Sequence, residues 1–265
     1  MVARETEISE GLVQLGLAQS GDPAVVTKLA RLADLLESEG VRRGLVSARD
    51  SRRMLSRHIL ECAALQLWLP PTGRVADVGS GAGLPGLVLG VLREDSVVLI
   101  EPMARRASFL REMVHELELA TEVVADRAEV VARGPSRAGF TSVVARAVAR
   151  PPVALELTLP LVEVGGIAAL LIGSEDAVPS VREGPGSGEG APDAPDPLSA
   201  AAVAVRELGG GPPEVRGFEV PGAKERRWVM IVRKLRPTPD LYPRSAQALR
   251  RRPLGTDVAG VMYRG

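Results

Sequence analysis

The segment Asp77-Val78-Gly79-Ser80-Gly81-Ala82-Gly83-Leu84-Pro85-Gly86 carries the densest chemical signal in the chain. Glycines this close together let a backbone turn sharply, take positive φ and approach a ligand with no Cβ in the way. Gly81-x-Gly83-x-x-Gly86 satisfies a dinucleotide fingerprint, in which a pyrophosphate sits at the amino end of the following helix. A carboxylate at Asp77 would repel that group and attract a cation. S-adenosylmethionine carries a sulfonium, an ammonium and an adenosine, and no phosphate, so the acid and its loop suit this methyl donor better. Glu101 lies twenty positions beyond Gly81, where a carboxylate can accept hydrogen bonds from both hydroxyls of a ribose. A dinucleotide, or a glycine turn with no ligand, are the alternatives.

Two further turns could complete such a site. In Asp126-Arg127-Ala128-Glu129, a polar side chain and backbone amides could meet the adenine. Glu129 reads equally as an adenine contact or as an acid at a helix start, and Asp126 reads rather as a cap. Arg146, in Val143-Val144-Ala145-Arg146-Ala147, closes an apolar run. An arginine at the carboxyl end of a central strand points into the crevice where open α/β sheets bind ligands; a surface ion pair is the alternative.

The missing chemistry narrows the acceptor. Methylation at C5 of a pyrimidine needs a cysteine nucleophile, and Cys62, the single cysteine, falls within a predicted core helix. Pro-Pro pairs occur at 70–71, 151–152 and 212–213, none framed by Asn or Asp and an aromatic as amine methylation commonly uses. No constellation that would deprotonate a hydroxyl is evident. Guanine N7 already presents a lone pair, so placement and desolvation suffice and no general base is assigned.

These residues need a scaffold, and the apolar pattern supplies one. Strands are predicted at 74–78, 97–100, 122–124, 141–145 and 167–172, with helices over 84–92, 105–117, 128–132 and 153–162. Such alternation indicates a parallel sheet covered on both faces. A further pair, 202–208 or 214–220 and then 227–235, would extend it to seven strands with an antiparallel edge. Upstream, 8–38 reads as two helices, the second begun by Asp22-Pro23 and ended by Gly40, and 54–68 as a third stopped by Pro70-Pro71. The domain reading is an N-terminal helical segment (1–72), a ligand-binding core (73–173), a Pro/Gly/Ser-rich flexible insertion (174–200) and the last strands with a basic tail (201–265).

Composition sets the outer bounds. The 265 residues hold 33 basic and 33 acidic side chains, 45% hydrophobic residues and 3% aromatics, ordinary for a soluble globular chain and poor for a base-stacking sheet. One cysteine and two histidines argue against a disulfide framework or a multi-histidine metal centre. With no signal peptide or 18-residue apolar run, the expectation is a cytoplasmic protein off the membrane, metal-free and monomeric by default. Charge is nevertheless uneven. Arg42 to Arg57 holds six arginines and one acid, and Lys224 to Arg252 holds ten basic residues and two acids. Such patches suit RNA phosphates, with a plain solvated surface as the alternative. Trp68, Phe109 and Trp228 fall on apolar stripes as core.

Arg57-His58-Ile59-Leu60, the Asp77–Gly86 loop, Arg105-Arg106 with Phe109-Leu110, Ala128-Glu129 and Ala145-Arg146-Ala147 together resemble the RsmG (GidB) family. The end of the chain, with Thr238-Pro239, Tyr242-Pro243-Arg244 and Pro253-Leu254, is similar to that family's carboxyl terminus. The resemblance runs from about Lys28, apart from 174–200. It implies a Rossmann-like class I methyltransferase sheet with N-terminal helices, and methyl transfer from S-adenosylmethionine to N7 of a guanine in the decoding-region loop of 16S rRNA. By position, Gly79, Leu84, Ala128, Glu129 and Arg146 correspond to the family's cofactor contacts, beside Asp77, Gly81, Gly83 and Glu101. Arg57, His58, Tyr242, Arg244, Arg250, Arg251 and Arg252 are the expected contacts to the small-subunit RNA. The chain departs from the family at Ile172-Gly173, where Lys-Gly is usual, at Glu61, and over 245–252. A diverged methyltransferase with another acceptor and a non-catalytic ribosome-binding scaffold are the alternatives.

Overall fold

Strands β1 (Val75–Val78) and β2 (Val97–Ile100) are buried at every position, as strands covered on both faces must be. With β3 (Thr121–Val124), β4 (Phe140–Arg146), β5 (Val162–Ile172), β6 (Glu214–Phe218) and β7 (Arg227–Arg233) they form one seven-stranded sheet in the order β3-β2-β1-β4-β5-β7-β6. The first five strands are mutually parallel, and β7 runs antiparallel between β5 and β6. The order reverses between β1 and β4, and their carboxyl ends are a topological switch point. The computed structural model describes residues 2–18, 21–51, 53–93, 96–173 and 197–255.

Alternation along the strands divides the core in two. Val75, Val97, Leu99, Val144 and Ala169 face α5 (Gly86–Leu92), α6 (Ala104–Glu116) and the N-terminal helices α1 (Val2–Gln14) and α2 (Pro23–Leu35), in a single apolar cluster containing Leu12, Leu32, Leu87 and Phe109. Ala76, Val98, Val143 and Ala168 face α8 (Pro151–Thr158) and α9 (Pro197–Glu207). Asp22 caps α2 as its sequence predicts, its Oδ1 accepting from Ala24 N at 2.7 Å with Pro23 in the first turn.

Three expectations are corrected. Gly40 does not end the second helix: the backbone continues through a π-helical turn, Leu36–Gly40, and it is Gly44, at φ +67°, that turns the chain away. Residues 202–207 belong to α9 rather than a strand, with Leu208 in the turn that follows, because Ala201, Ala204, Val205 and Leu208 form one buried helical stripe. That helix starts at Pro197, inside the stretch read as insertion; 174–196 lies outside the described residues.

The segment after β7 is fastened by buried polar groups. Lys234 is 1% exposed, and its ammonium donates to Leu159 O at 2.6 Å, to Leu208 O at 3.0 Å and to Thr238 Oγ1. A cation thus sits at the carboxyl ends of α8 and α9, where helix dipoles favour it. Arg137 donates to Thr238 O and Tyr242 O, and Arg133 to Pro243 O and Leu241 O. Arg244 forks onto Glu156, Nε to Oε1 at 2.8 Å and an NH2 group to Oε2 at 2.6 Å, and its backbone N–H donates to the same carboxylate. Through these bonds the tail returns to the sheet and lays α10 (Ala246–Arg251) near the ends of β1 and β4.

Candidate functional site

The glycine loop leaves β1 as a two-walled turn. Gly79 N donates to Ile100 O on the neighbouring strand, Ser80 Oγ to Asp77 O, and Gly86 N to Asp77 Oδ2 at 3.0 Å. Glu101 holds the loop from the other side: its Oε2 accepts from Gly81 N and its Oε1 from Met103 N, both at 2.9 Å. Two glycines are indispensable here. Gly79 has φ +72°, and a Cβ would stand 2.7 Å from Val148. At Gly86 a Cβ would meet Leu99 at 2.2 Å and the Asp77 carboxylate at 2.7 Å, so the bond that ties helix to strand would be lost.

Two cavities adjoin along this loop. The larger, about 480 Å³, is lined by Gly79, Glu101, Met103, Arg106, Ala128 and Glu129, and closed by Ala246, Leu249 and Arg250 of α10. The smaller, about 260 Å³, is lined by Gly79, Ser80, Gly81, Leu84, Asp50, His58 and Arg146. Gly79, Arg106 and Ala147 border both, so the two are halves of one crevice at the switch point. A wider groove of about 580 Å³ between α6 and β3 contains no residue of the loop.

The structure places the predicted cofactor residues unevenly. Gly79, Gly81, Leu84, Glu101, Ala128, Glu129 and Arg146 come together around the crevice. Asp77 and Gly83 line neither half. Asp77 is fully buried behind the loop, and a Cβ on Gly83 would stand 2.2 Å from Leu87 in the core. Both shape the loop from within, which corrects the expectation that Asp77 faces the ligand. Asp126 is exposed, its Oδ1 accepting from Arg127 N, and it too lies outside the crevice.

Arg146 organises the floor of the smaller half. One guanidinium nitrogen donates to Cys62 Sγ at 3.3 Å, another stands 3.0 Å from His58 Nδ1, and Glu61 Oε2 is 4.0 Å away. Glu61 also meets Arg227 at 3.5 Å, so two arginines share one buried carboxylate. A π-helical segment, Met54–Leu60, brings His58 to this floor immediately before α4 (Glu61–Ala63) supplies Glu61 and Cys62. Burial pushes the Cys62 thiol up to about 12, leaving it without nucleophilic character. Burial, with the Arg146 charge beside it, lowers His58 to about 4. The half-buried Arg57 side chain has no hydrogen-bond or ion-pair partner among the described residues. Burial and the charges of Arg227, Arg146 and Arg53 lower its affinity for a proton.

The expected RNA contacts separate by burial and by partner. Arg250, Arg251 and Arg252 are exposed, Arg250 at the rim of the crevice, whereas Arg57 is half-buried and His58 is buried in the floor of the smaller half. Tyr242 and Arg244 are engaged inside the protein. Tyr242 is 6% exposed with its hydroxyl 3.2 Å from Glu207, and the Arg244 fork is committed to Glu156, which is 0% exposed. These two secure the tail internally, and the RNA role read for them is corrected. Sequence reading missed Asp50, Met103 and Arg106 and, from α10, Ala246 and Leu249. Arg106 carried a legible signal, since it lies in the first turn of the helix that follows the ribose acid. Ala147, held at φ +52° where the halves meet, enters the sequence reading only within the Ala145-Arg146-Ala147 match, and nothing local marks its backbone conformation.

This strand order, with a glycine loop after β1, an acid after β2 and a divided crevice at their ends, defines a Rossmann-like class I methyltransferase dependent on S-adenosylmethionine. Residues 25–179 match the GidB family model, described as rRNA small subunit methyltransferase G. The ribosomal RNA small subunit methyltransferase G of Salinispora arenicola is 42% identical over 224 residues, which cover 82% of this chain and 85% of the relative. That of Symbiobacterium thermophilum is 36% identical over 257 residues, 93% and 96% of the two chains. The chain belongs to the GidB family. A solved S-adenosylmethionine-dependent O-methyltransferase from Thermotoga maritima is 13% identical, covering 66% of this chain and 65% of its own at a TM-score of 0.48; the fold assignment rests on the strand order instead. Among the described residues, no helix is long and apolar enough to cross a membrane and no group of 3 or more His, Cys, Asp or Glu could hold a metal ion.

Proposed function

We propose that this chain methylates N7 of a guanine in the decoding-region loop of 16S rRNA, with S-adenosylmethionine as donor. The observation that carries the reading is the divided crevice, whose larger half fits a nucleoside and whose smaller half leaves room for a base beside the sulfonium end. The residues present suit the donor. Gly79 offers a wall a Cβ would obstruct, Ala128 is small, and the Glu101 oxygens each retain a lone pair for a ribose hydroxyl beyond the amide they already accept. When bound, S-adenosylmethionine supplies an electrophilic methyl group whose bonding pair stays on sulfur as the N7 lone pair takes the carbon. No proton moves, and the residues around the smaller half agree with that: Cys62 stays a thiol, and His58 has its Nδ1 lone pair engaged by Arg146. Their work is to hold the base in line and exclude water. Arg57, Arg250, Arg251 and Arg252 are the cations proposed to meet the RNA backbone.

The reading extends to a cytoplasmic, metal-free monomer built as one unit, its N-terminal helices sharing a core with the sheet. Labelled methyl donor is to be incubated with small subunits from cells lacking this protein and with naked rRNA, with and without EDTA. Expected is 7-methylguanosine at one position, insensitive to EDTA, from protein sedimenting at 28.0 kDa. Label at any other atom, or none in either substrate, overturns the reading.

A linked-proton prediction tests the loop itself. Burial pushes the Asp77 carboxyl up to about 7, against the Gly86 N–H and Ser80, which pull it down. A raised carboxyl pKa contributes stability that is complete below its unfolded value and lost as pH rises through about 7. A cation held against the loop favours the ionised form. Binding of S-adenosylmethionine near neutral pH is therefore expected to release up to about one proton. Calorimetry in buffers of different ionisation enthalpy reads this release, and Asp77→Asn removes it.

A further inference from the structure

His58 carries a donor that the described residues leave without an acceptor. Its Nδ1 lies 3.0 Å from an Arg146 nitrogen, and a guanidinium has only donors to offer, so Nδ1 accepts and the ring proton resides on Nε2. Nε2 is buried and has no hydrogen-bond partner among the described residues. The residue is 6% exposed and lines the smaller half of the crevice with Arg146 and the loop. Buried donors are almost always paired, and an unpaired one on a residue that lines a cavity requires an explanation, which an acceptor on a bound ligand supplies.

We propose that His58 is the residue that reads the base, its Nε2–H donating to O6 of the guanine whose N7 faces the methyl carbon. This rests on the guanine-N7 reading above and adds how the guanine is told from other purines. On the edge that carries N7, guanine presents a second acceptor, O6, whereas adenine presents the N6 amino donor. A fixed N–H therefore accepts guanine and opposes adenine, whose amino group would leave two donors face to face. The tautomer is what makes His58 selective, and Arg146 sets the tautomer.

The charge state suits the task as well. Positive charge arrives on the base as N7 is alkylated, and a neutral imidazole adds no repulsion there. Burial and the cations Arg146, Arg57 and Arg53 keep the ring neutral, against the pull of Asp50. Because O6 becomes a poorer acceptor as the base turns cationic, the bond is stronger before transfer than during it. His58 accordingly acts on KM and on base choice more than on kcat.

The test uses small subunits reconstituted with rRNA that carries, at the methylated position, either guanine or 2-aminopurine, which keeps N7 and lacks O6. The wild-type protein is expected to favour guanine by about 10-fold or more. His58→Phe is expected to raise KM for the guanine subunit about 10-fold, to bring the two substrates within about 2-fold, and to leave the calorimetric affinity for S-adenosylmethionine unchanged. His58→Gln, whose amide restores a donor, is expected to recover most of the preference. Retained preference in His58→Phe, or a tenfold loss of donor affinity, overturns the proposal. Nitrogen NMR on the wild-type protein with labelled histidine, assigned with the His115→Gln variant, must find the proton on Nε2; a proton on Nδ1 overturns the proposal without any variant at position 58. Should the wild-type protein label no N7 at all, the functional reading fails, whereas the tautomer is judged separately.

Discussion

Arg146→Met is expected to lower kcat/KM for small-subunit methylation by about 100-fold, the scale that misplacement of reacting groups produces. The substitution removes the bond to Cys62, the lock on the His58 tautomer and one of two cations beside Glu61. It fills similar volume, and Glu61 keeps Arg227 at 3.5 Å, so no buried carboxylate is stranded. The stability loss is accordingly modest, about 1–2 kcal/mol and a melting shift of a few degrees. Turnover, thermal melting and calorimetric titration of the methyl donor, measured on one preparation, separate the effects. Turnover within twofold of wild type would remove Arg146 from the site, and a collapse in melting temperature would make it structural.

Arg244→Ala is expected to do the reverse. Glu156 is 0% exposed inside α8, and Arg244 supplies three of the hydrogen bonds its carboxylate accepts. The backbone bond survives truncation but the guanidinium does not, so an uncompensated buried charge remains. Such losses run to about 3–5 kcal/mol. In a domain of this size that lowers the melting temperature by roughly 10 °C. Glu156→Gln with Arg244→Met, which removes both charges, is expected to recover much of the loss. RNA binding supplies the contrasting readout. Replacing a phosphate-contacting arginine reduces the salt slope by about 1, and Arg250→Ala should do so. Arg244→Ala should leave that slope unchanged in the folded fraction; a reduced slope would return Arg244 to the RNA surface.

The two variants mark where sequence reading succeeded and where it stopped. Lone polar residues in apolar helices were the overlooked signal. Glu156 stands in Pro-Pro-Val-Ala-Leu-Glu-Leu-Thr with apolar neighbours on every side, and a buried acid requires a cation somewhere in the chain. That requirement announces a basic partner without saying which one. The basic tail likewise read as a phosphate surface because charge counts do not reveal which cations already have partners. Arg133, Arg137, Lys234 and Arg244 spend theirs on carbonyls and a carboxylate inside the protein.

The sequence by itself determined the strands, the glycine turn after the first of them and the acid after the second. Apolar runs, glycine spacing and the twenty-residue interval between Gly81 and Glu101 are local quantities, fixed by backbone sterics and by burial. Tertiary structure alone decided which side of the loop Asp77 occupies, that Gly83 faces the core, and that His58 meets Arg146 from 88 positions away. The reason is directional: a hydrogen bond depends on where a side chain points and on what the rest of the chain brings to meet it, and one-dimensional spacing contains neither.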